Sequence, residues 1–79
     1  MIDIATITDM ISRIGKIPPV APEADIFDAG FVSINALELL VELETAFDVS
    51  IPDDEFLKAR TARDLQDMVS RLKREGSPA

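Results

Sequence analysis

Proline and glycine interrupt the first half of this chain, and the interruption limits the folds that it can adopt. Three prolines and a glycine fall between residues 16 and 31, at Pro18, Pro19, Pro22 and Gly30. Because proline cannot continue a helical hydrogen-bond ladder, residues 15–32 cannot form one helix. A connection of this length inside a compact domain more often has a function or some ordered structure than neither. We expect three apolar residues to pin it across the helices: Ile26, Phe27 and Phe31.

Apolar residues recur at helical spacing on both sides of this connection. Before it, the isoleucines predict helix 1 over about residues 3–14, with Asp3 as its N-cap and Gly15 as its end. After it, helix 2 is predicted from Ser33 to about Phe47. Serine is a favoured N-cap residue, so we expect Ser33 to cap this helix.

Two further helices are predicted beyond residue 51. Pro52 and the three acids after it predict a short helix 3 over about residues 53–58, because proline suits the first helical position and acids stabilise the first turn. Thr61 with Asp64 resembles a capping box and predicts helix 4 over about residues 62–73. The sequence therefore predicts an all-α fold, with one domain over residues 1–74 and a flexible tail over residues 75–79.

The two faces of helix 2 differ in composition. At about 100° per residue, one face is apolar and is predicted to face the core: Ala36, Leu39, Leu40, Leu43, Ala46 and Phe47. The opposite face mixes apolar residues with acids, which suits a surface that binds and releases a partner: Ile34, Leu37, Glu38, Val41, Glu44, Thr45 and Asp48.

Composition narrows the class of protein further. The 79 residues include no cysteine and no histidine, which leaves helix packing, and neither disulfides nor a structural zinc, to stabilise the domain. The absence of cysteine fits a reducing compartment. No segment approaches the roughly 20 apolar residues of a membrane span, and an early acid argues against a signal peptide. We expect a soluble, monomeric, cytoplasmic protein.

The net charge of −7 limits the choice of partners. Nucleic-acid binding depends on Lys and Arg that release counterions from phosphate, so we expect no nucleic-acid partner. An acidic domain favours basic protein surfaces. Charge of this size also keeps a small domain in solution, and composition alone does not separate these two roles.

Ser33 is the residue that the sequence singles out for chemistry. The free backbone N–H groups of a first helical turn favour negative charge, so a phosphate ester at Ser33 would be tolerated. The chain has no histidine to act as a base, and no lysine lies close to Ser33 in sequence, which argues against a serine hydrolase. We therefore interpret Ser33 as a hydroxyl that another enzyme modifies.

The acidic residues do not predict catalysis or metal binding. The spacing of Asp48, Asp53, Asp54 and Glu55 does not match an EF-hand loop. Glu38 and Glu44 lie on the exposed face of a predicted helix in a domain too small to raise a carboxyl pKa by burial, which argues against a glycosidase pair. We expect that the chain is not an enzyme.

Two stretches resemble the signature of acyl carrier proteins. The first is residues 28–40, Asp-Ala-Gly-Phe-Val-Ser-Ile-Asn-Ala-Leu-Glu-Leu-Leu, and the second is residues 43–53, Leu-Glu-Thr-Ala-Phe-Asp-Val-Ser-Ile-Pro-Asp. The length of the chain, its helix order and its long first loop also fit that family. Within the family, residues 27–30 and 41–44 are most similar to D-alanyl and other aminoacyl carrier proteins.

The resemblance implies a fold, a prosthetic group and partners. The fold would be a four-helix bundle with a long loop between helices 1 and 2 and a short helix 3. Ser33 would receive a 4′-phosphopantetheine arm from a phosphopantetheinyl transferase that uses coenzyme A. A ligase would load an acyl or aminoacyl group on the arm as a thioester, for delivery to a transferase or synthase. The partner-docking residues would be Ile34, Leu37, Glu38, Val41 and Glu44, with Ile51 and Glu55 extending the surface at helix 3.

The sequence departs from the family pattern beside Ser33. Most members carry Asp, and some carry His, where this chain has Val32, and Asn35 replaces a frequent Asp. These changes keep a second hypothesis open, in which the chain is a carrier-like interaction module that binds a partner through helix 2 without a prosthetic group.

Overall fold

The computed structural model describes residues 2–75, and within this range the regular secondary structure is helical. Four α-helices follow one another along the chain: α1 Ile4–Gly15, α2 Ala36–Phe47, α3 Asp53–Lys58 and α4 Ala62–Glu75. A 3₁₀ turn, Ser33–Asn35, comes directly before α2. The prediction of an all-α fold with a long first connection and a short third helix is confirmed. No helix within residues 2–75 is long and apolar enough to cross a membrane.

The two ends of α1 show how local chemistry sets its length. The Asp3 carboxylate accepts a hydrogen bond from the Ala5 backbone N–H at 3.0 Å, as expected of an N-cap. Gly15 was predicted to end the helix but is its last helical residue. The left-handed position that terminates the helix is taken by Lys16, at φ 55° and ψ 45°, with its N–H bound to the Ser12 carbonyl.

The core is one apolar cluster between the helices. α1 packs against both α2 and α4, and α3 packs against α4. From α2, the predicted core residues Leu39, Leu40 and Leu43 are buried and Ala36 and Phe47 are half-buried, whereas Ala46 is exposed and its predicted core position was wrong. The buried residues are Ile7, Met10, Ile11, Ile14, Ile26, Phe31, Leu39, Leu40, Leu43, Ile51, Phe56, Ala62, Leu65, Met68 and Val69.

The junction between α3 and α4 is closed by a modified capping box. The Thr61 hydroxyl accepts a hydrogen bond from the Asp64 N–H at 3.0 Å, as predicted. The Asp64 carboxylate reaches back to the N–H of Arg60, at 3.1 Å, and thus to the residue before the cap. α4 then continues to Glu75, two residues beyond its predicted end; of the predicted tail, residues 76–79 lie outside the described residues.

The connection between α1 and α2 is ordered by contacts with the start of α4. Ile26 donates its N–H to the Arg60 carbonyl and Arg63 donates its N–H to the Pro22 carbonyl, both at 2.9 Å. Of the three predicted apolar anchors, Ile26 and Phe31 are buried and Phe27 is half-buried. Phe27 and Phe31 meet edge to face, with ring centroids 6.0 Å apart. The segment that leads to Ser33 is therefore held against the helices.

Candidate functional site

Ser33 lies exposed at the first position of the 3₁₀ turn that precedes α2. The prediction that it caps a helix was wrong, because its hydroxyl makes no capping hydrogen bond; the position before the turn belongs to Val32, in an extended conformation at φ −92° and ψ 148°. Ser33 instead contributes its carbonyl, which accepts a hydrogen bond from the Ala36 N–H. The exposed hydroxyl is thus free to react.

The backbone before Ser33 is fixed by a closed turn. The N–H groups of Ala29, Gly30 and Phe31 donate to the carbonyls of Asp25, Phe27 and Ile26 at 3.1, 3.2 and 3.0 Å. Gly30 adopts φ 113°, which a residue with a side chain rarely adopts. Phe31 is 2% exposed, so the chain is anchored in the core two residues before Ser33.

An ion pair fastens this turn to the loop before α4. The Arg60 guanidinium donates to both Asp25 carboxylate oxygens, at 2.6 and 3.4 Å, and lies 5.0 Å from the centroid of the Phe27 ring. The Asp25 Oδ1 atom also accepts from the N–H groups of Phe27 and Asp28. The hydrogen bond from Arg60, opposed by partial desolvation and reinforced by these two N–H groups, holds the pKa of the Asp25 carboxyl below its ordinary value.

An apolar groove opens beside Ser33, between the start of α2 and α3. Its volume is about 270 Å³, and it is lined by Ser33, Ala36, Leu37, Leu40, Asp53, Phe56 and Leu57. Its lining residues include one ionisable side chain, Asp53. The groove is thus a mainly apolar surface that begins at a reactive hydroxyl.

Exposed apolar side chains occur at three predicted positions: Ile34 in the 3₁₀ turn is 86% exposed, and Leu37 and Val41 of α2 are 68% and 53% exposed. Glu38 is exposed beside them. Two exposed apolar residues were missed by sequence reasoning, Val32 at 52% and Leu57 at 73%. Six residues are too few for helical periodicity to show which of Phe56 and Leu57 faces the core, so the sequence held no clear signal for Leu57.

Three other predicted docking residues have structural partners. Ile51 is 5% exposed and belongs to the core, so the expectation that it extends an exposed surface was wrong. The half-buried Glu44 accepts a hydrogen bond from the Ile51 N–H at 2.9 Å, which joins α2 to the loop before α3. Glu55 is half-buried and pairs with Arg71 of α4. Glu44 therefore helps to hold the loop before α3 against α2, and Glu55 holds α3 against α4.

Comparison with known protein families identifies the prosthetic group that the site serves. The family described as phosphopantetheine attachment site matches residues 5–69, which is most of the chain. The chain belongs to this family. The domains of this family are carrier proteins, and this chain is therefore a carrier protein with a covalently attached 4′-phosphopantetheine.

Two relatives show the range of the family. The chain is 40% identical over 55 residues to the acyl carrier protein of Syntrophobacter fumaroxidans, a match that covers 68% of each chain. It is 35% identical over 54 residues to the aminoacyl carrier protein of Agrobacterium fabrum, covering 63% of this chain and 65% of that one. The resemblance to acyl and aminoacyl carrier proteins is thus confirmed, over about two thirds of these relatives' length.

A solved structure extends the comparison to the fold. A carrier-protein chain from Agrobacterium tumefaciens, in a crystal structure of an engineered Bradyrhizobium japonicum glycine:[carrier protein] ligase complexed with carrier protein and AMP, is similar with a TM-score of 0.73. Sequence identity is 29%, over 86% of this chain and 99% of that one. In that structure the carrier protein is complexed with a partner enzyme, the ligase.

The residues around Ser33 fit the family's prosthetic group. Attachment as a phosphodiester requires an accessible hydroxyl and room beside it, and Ser33 has both in its exposed position and the adjoining groove. When bound, the arm supplies a thiol that holds an acyl or aminoacyl group as a thioester. No cluster of three or more potential metal ligands occurs within residues 2–75.

Proposed function

We propose that Ser33 is the residue that carries the 4′-phosphopantetheine arm. The observation that carries this proposal is the position of Ser33: an exposed hydroxyl, anchored from Phe31, at the mouth of an apolar groove and inside the family match. Ser50 is also exposed, but it lies in the connection between α2 and α3 and does not line this groove.

The proposal includes a docking surface for the partner enzymes, which we define as Ile34, Leu37, Glu38, Val41 and Leu57. Its apolar members are each more than half exposed. Leu37 and Leu57 line the Ser33 groove, whereas Ile34 lies in the 3₁₀ turn and Val41 lies further along α2. Clusters of exposed apolar side chains mark interaction sites, and an acidic rim speeds encounters with basic partners. The partners would be a phosphopantetheinyl transferase, an acyl- or aminoacyl-loading ligase, and an acceptor transferase or synthase.

The chain itself would present the thioester and leave catalysis to these partners. The sequence has neither histidine nor cysteine, and the other acids of the predicted docking set are engaged in structural contacts. We further propose that it acts as a monomer in the cytoplasm. A net charge of −7 keeps copies apart, and the absence of cysteine fits a reducing compartment.

Intact-protein mass spectrometry tests the attachment site. With coenzyme A and a broad-specificity transferase, the parent and the control Ser50→Ala should each gain one phosphopantetheine. Ser33→Ala should gain none while keeping the helical circular dichroism of the parent. Modification of Ser33→Ala would contradict the assignment. A parent that stays unmodified, including when purified from its own host, would also contradict the attachment at Ser33.

A further inference from the structure

Val32, the residue directly before Ser33, is apolar although its position favours a polar residue. It takes the cap position before the 3₁₀ turn, and its side chain makes no capping hydrogen bond. Ser, Thr, Asp and Asn are preferred at a helix N-cap, because their side-chain oxygens accept from the free N–H groups of the first turn. Valine therefore lacks a local stabilisation that threonine, which has nearly the same shape, would provide. Residues that depart from local preference in this way are expected at functional sites.

The backbone holds the Val32 side chain in an outward position. Successive side chains of an extended segment point to opposite sides, so the burial of Phe31 in the core turns Val32 outward, where it is 52% exposed. The Val32 carbonyl accepts a hydrogen bond from the Asn35 N–H at 3.0 Å. Because the chain is anchored on both sides of Val32, this side chain can contact a partner with little loss of conformational entropy.

The surroundings of Ser33 along the chain are uncharged. No charged side chain occurs from residue 29 to residue 37, in a chain with 15 acids and 8 bases. Ile34, directly after Ser33, is 86% exposed. Ser33 is therefore flanked by two exposed, β-branched apolar side chains. Neither of them lines the groove beside Ser33, so they extend the apolar surface beyond it.

An enzyme that acts on the Ser33 hydroxyl must also cover Val32. Consecutive Cα atoms are about 3.8 Å apart, whereas a specific interface covers about 800 Å² of each partner. A cation of the enzyme at this point would lose hydration against valine, with no carboxylate in residues 29–37 to pair with. An apolar side chain of the enzyme would instead gain from burying the exposed half of the valine.

We propose that Val32 is a specificity-determining residue for phosphopantetheine transfer, and that it selects a transferase whose surface beside its catalytic site is apolar rather than basic. This inference rests on the proposed attachment at Ser33. In the transfer, the Ser33 oxygen forms a bond to the phosphorus that carries the pantetheine, adenosine bisphosphate leaves with the bridging oxygen, and a base of the transferase takes the hydroxyl proton. Val32 takes no part in these bonds; it contributes affinity to the complex in which they change.

Competition for the transferase of the protein's own host tests this role. Unmodified full-length chains would be mixed in pairs, each variant with heavy-isotope-labelled parent, in a desalted host extract supplied with coenzyme A. Intact-protein mass spectrometry would follow both masses, and the ratio of their early modification rates equals the ratio of their kcat/KM values. The variants are Val32→Thr, Val32→Ile and Val32→Asp. The control Ser50→Asp adds the same charge at an exposed position outside the groove.

We expect Val32→Thr to lose roughly 3–10-fold in kcat/KM, because its hydroxyl must be desolvated where valine gains from burial, and Val32→Asp to lose more than roughly tenfold. Val32→Ile and Ser50→Asp should stay within about twofold of the parent. A salt increase should leave the ratio between Val32→Thr and the parent unchanged, because salt does not screen an apolar contact. In urea unfolding, Val32→Thr and Val32→Asp should be at least as stable as the parent, because each can cap the turn.

Equal rates for Val32→Thr and the parent would overturn the inference, and so would faster modification of Val32→Asp, which would indicate a basic transferase surface. An equal loss in Ser50→Asp would show a general effect of charge, and a slower Val32→Thr that is also less stable would show a structural effect; either result would overturn it as well. If the parent gains no phosphopantetheine in the extract, or if Ser33→Ala gains one, the attachment at Ser33 is contradicted, and this inference with it.

Discussion

The backbone of Gly15 lies against the ring of Phe31, so closely that a Cβ atom at Gly15 would come within 2.5 Å of the Phe31 Cδ1 atom and 3.0 Å of Cε1. The glycine at the end of α1 thus makes room for the aromatic ring that anchors the chain before Ser33. Its small size matters here more than its backbone freedom, because Gly15 is helical.

Gly15→Ala is therefore expected to destabilise the domain. Helix propensity alone would predict a gain of up to about 1 kcal/mol, but forcing a methyl group against a buried ring costs about 1–3 kcal/mol. We expect a net loss of about 1–2 kcal/mol in urea unfolding. Phe31→Leu should relieve the clash, so the double variant should be more stable than the sum of the single changes predicts. A variant more stable than the parent would show that the ring moves aside freely.

Leu43 and Leu37 should respond differently to truncation, because they lie on opposite faces of α2. Leu43 is fully buried, and Leu43→Ala should cost about 2–5 kcal/mol, much of what a domain of this size possesses. Leu37 is 68% exposed, so Leu37→Ala should leave stability within about 0.5 kcal/mol and weaken partner binding. Thermal unfolding and a binding titration with the transferase distinguish the two; equal destabilisation would contradict the assigned faces.

Sequence periodicity predicted the helices well because each apolar stripe has one core to face. Leu39, Leu40 and Leu43 followed from spacing alone. Ala46 did not, because its side chain is exposed, although the next residue, Phe47, is half-buried. Long-range pairing was beyond the reach of spacing. The partner of the Glu44 carboxylate is an N–H seven residues away, and Asp25 and Arg60 are joined across 35 positions.

The same limit applied to the site. The position of Ser33 was predicted from a glycine-containing loop followed by a helix start. The exposed face of α2 was predicted from a helical wheel. The groove could not, because it depends on where the six residues of α3 lie against α2. Ile51 was placed on the surface from resemblance alone, whereas its apolar side chain completes the core.

Reversing the charge of Glu38 should affect encounter with partners and leave the fold intact. Glu38 is exposed, so Glu38→Lys should slow association with the transferase at low salt, and the slowing should diminish as salt rises. Stopped-flow association rates measure this directly. Exposed Thr45, on the same helix, provides the control Thr45→Ala, which should associate like the parent. If Glu38→Lys associates as fast as the parent at low salt, Glu38 does not steer partners and its charge only helps to keep the domain in solution.

Glu44 should behave as a structural residue. Its carboxylate accepts the Ile51 N–H, and removing it leaves a partly buried donor without a partner, which costs about 1–3 kcal/mol. Glu44→Ala should therefore lower the free energy of unfolding. Glu44→Gln should lower it less, because its amide oxygen can still accept the hydrogen bond from the Ile51 N–H. If Glu44→Ala is as stable as the parent, Glu44 has no structural role and would again be interpreted as a docking residue.

The ion pair between Asp25 and Arg60 should make stability depend on pH in acid. The pKa of Asp25 is depressed in the folded protein, chiefly by the Arg60 hydrogen bond, so the unfolded chain takes up a proton at higher pH than the folded one. The stabilisation is complete above the unfolded value of about 3.9 and is lost as the pH falls through the lower, folded value. Asp25→Asn keeps an oxygen that can accept from the Phe27 and Asp28 N–H groups while removing the charge.

Urea unfolding between about pH 7 and about pH 2.5 measures this contribution. We expect Asp25→Asn to be less stable than the parent at neutral pH and the two unfolding free energies to converge in acid, because the parent's carboxyl becomes protonated there. Asp9→Asn, at an exposed position of α1, serves as the control and should run parallel to the parent. Arg60→Gln removes the positive partner of the pair, so its unfolding free energy should also be lower than that of the parent at neutral pH and converge with it in acid. If the difference between the parent and Asp25→Asn stays constant across the range, its source is the neutral hydrogen bonding of the turn, and the charge of Asp25 contributes nothing to holding the segment before Ser33.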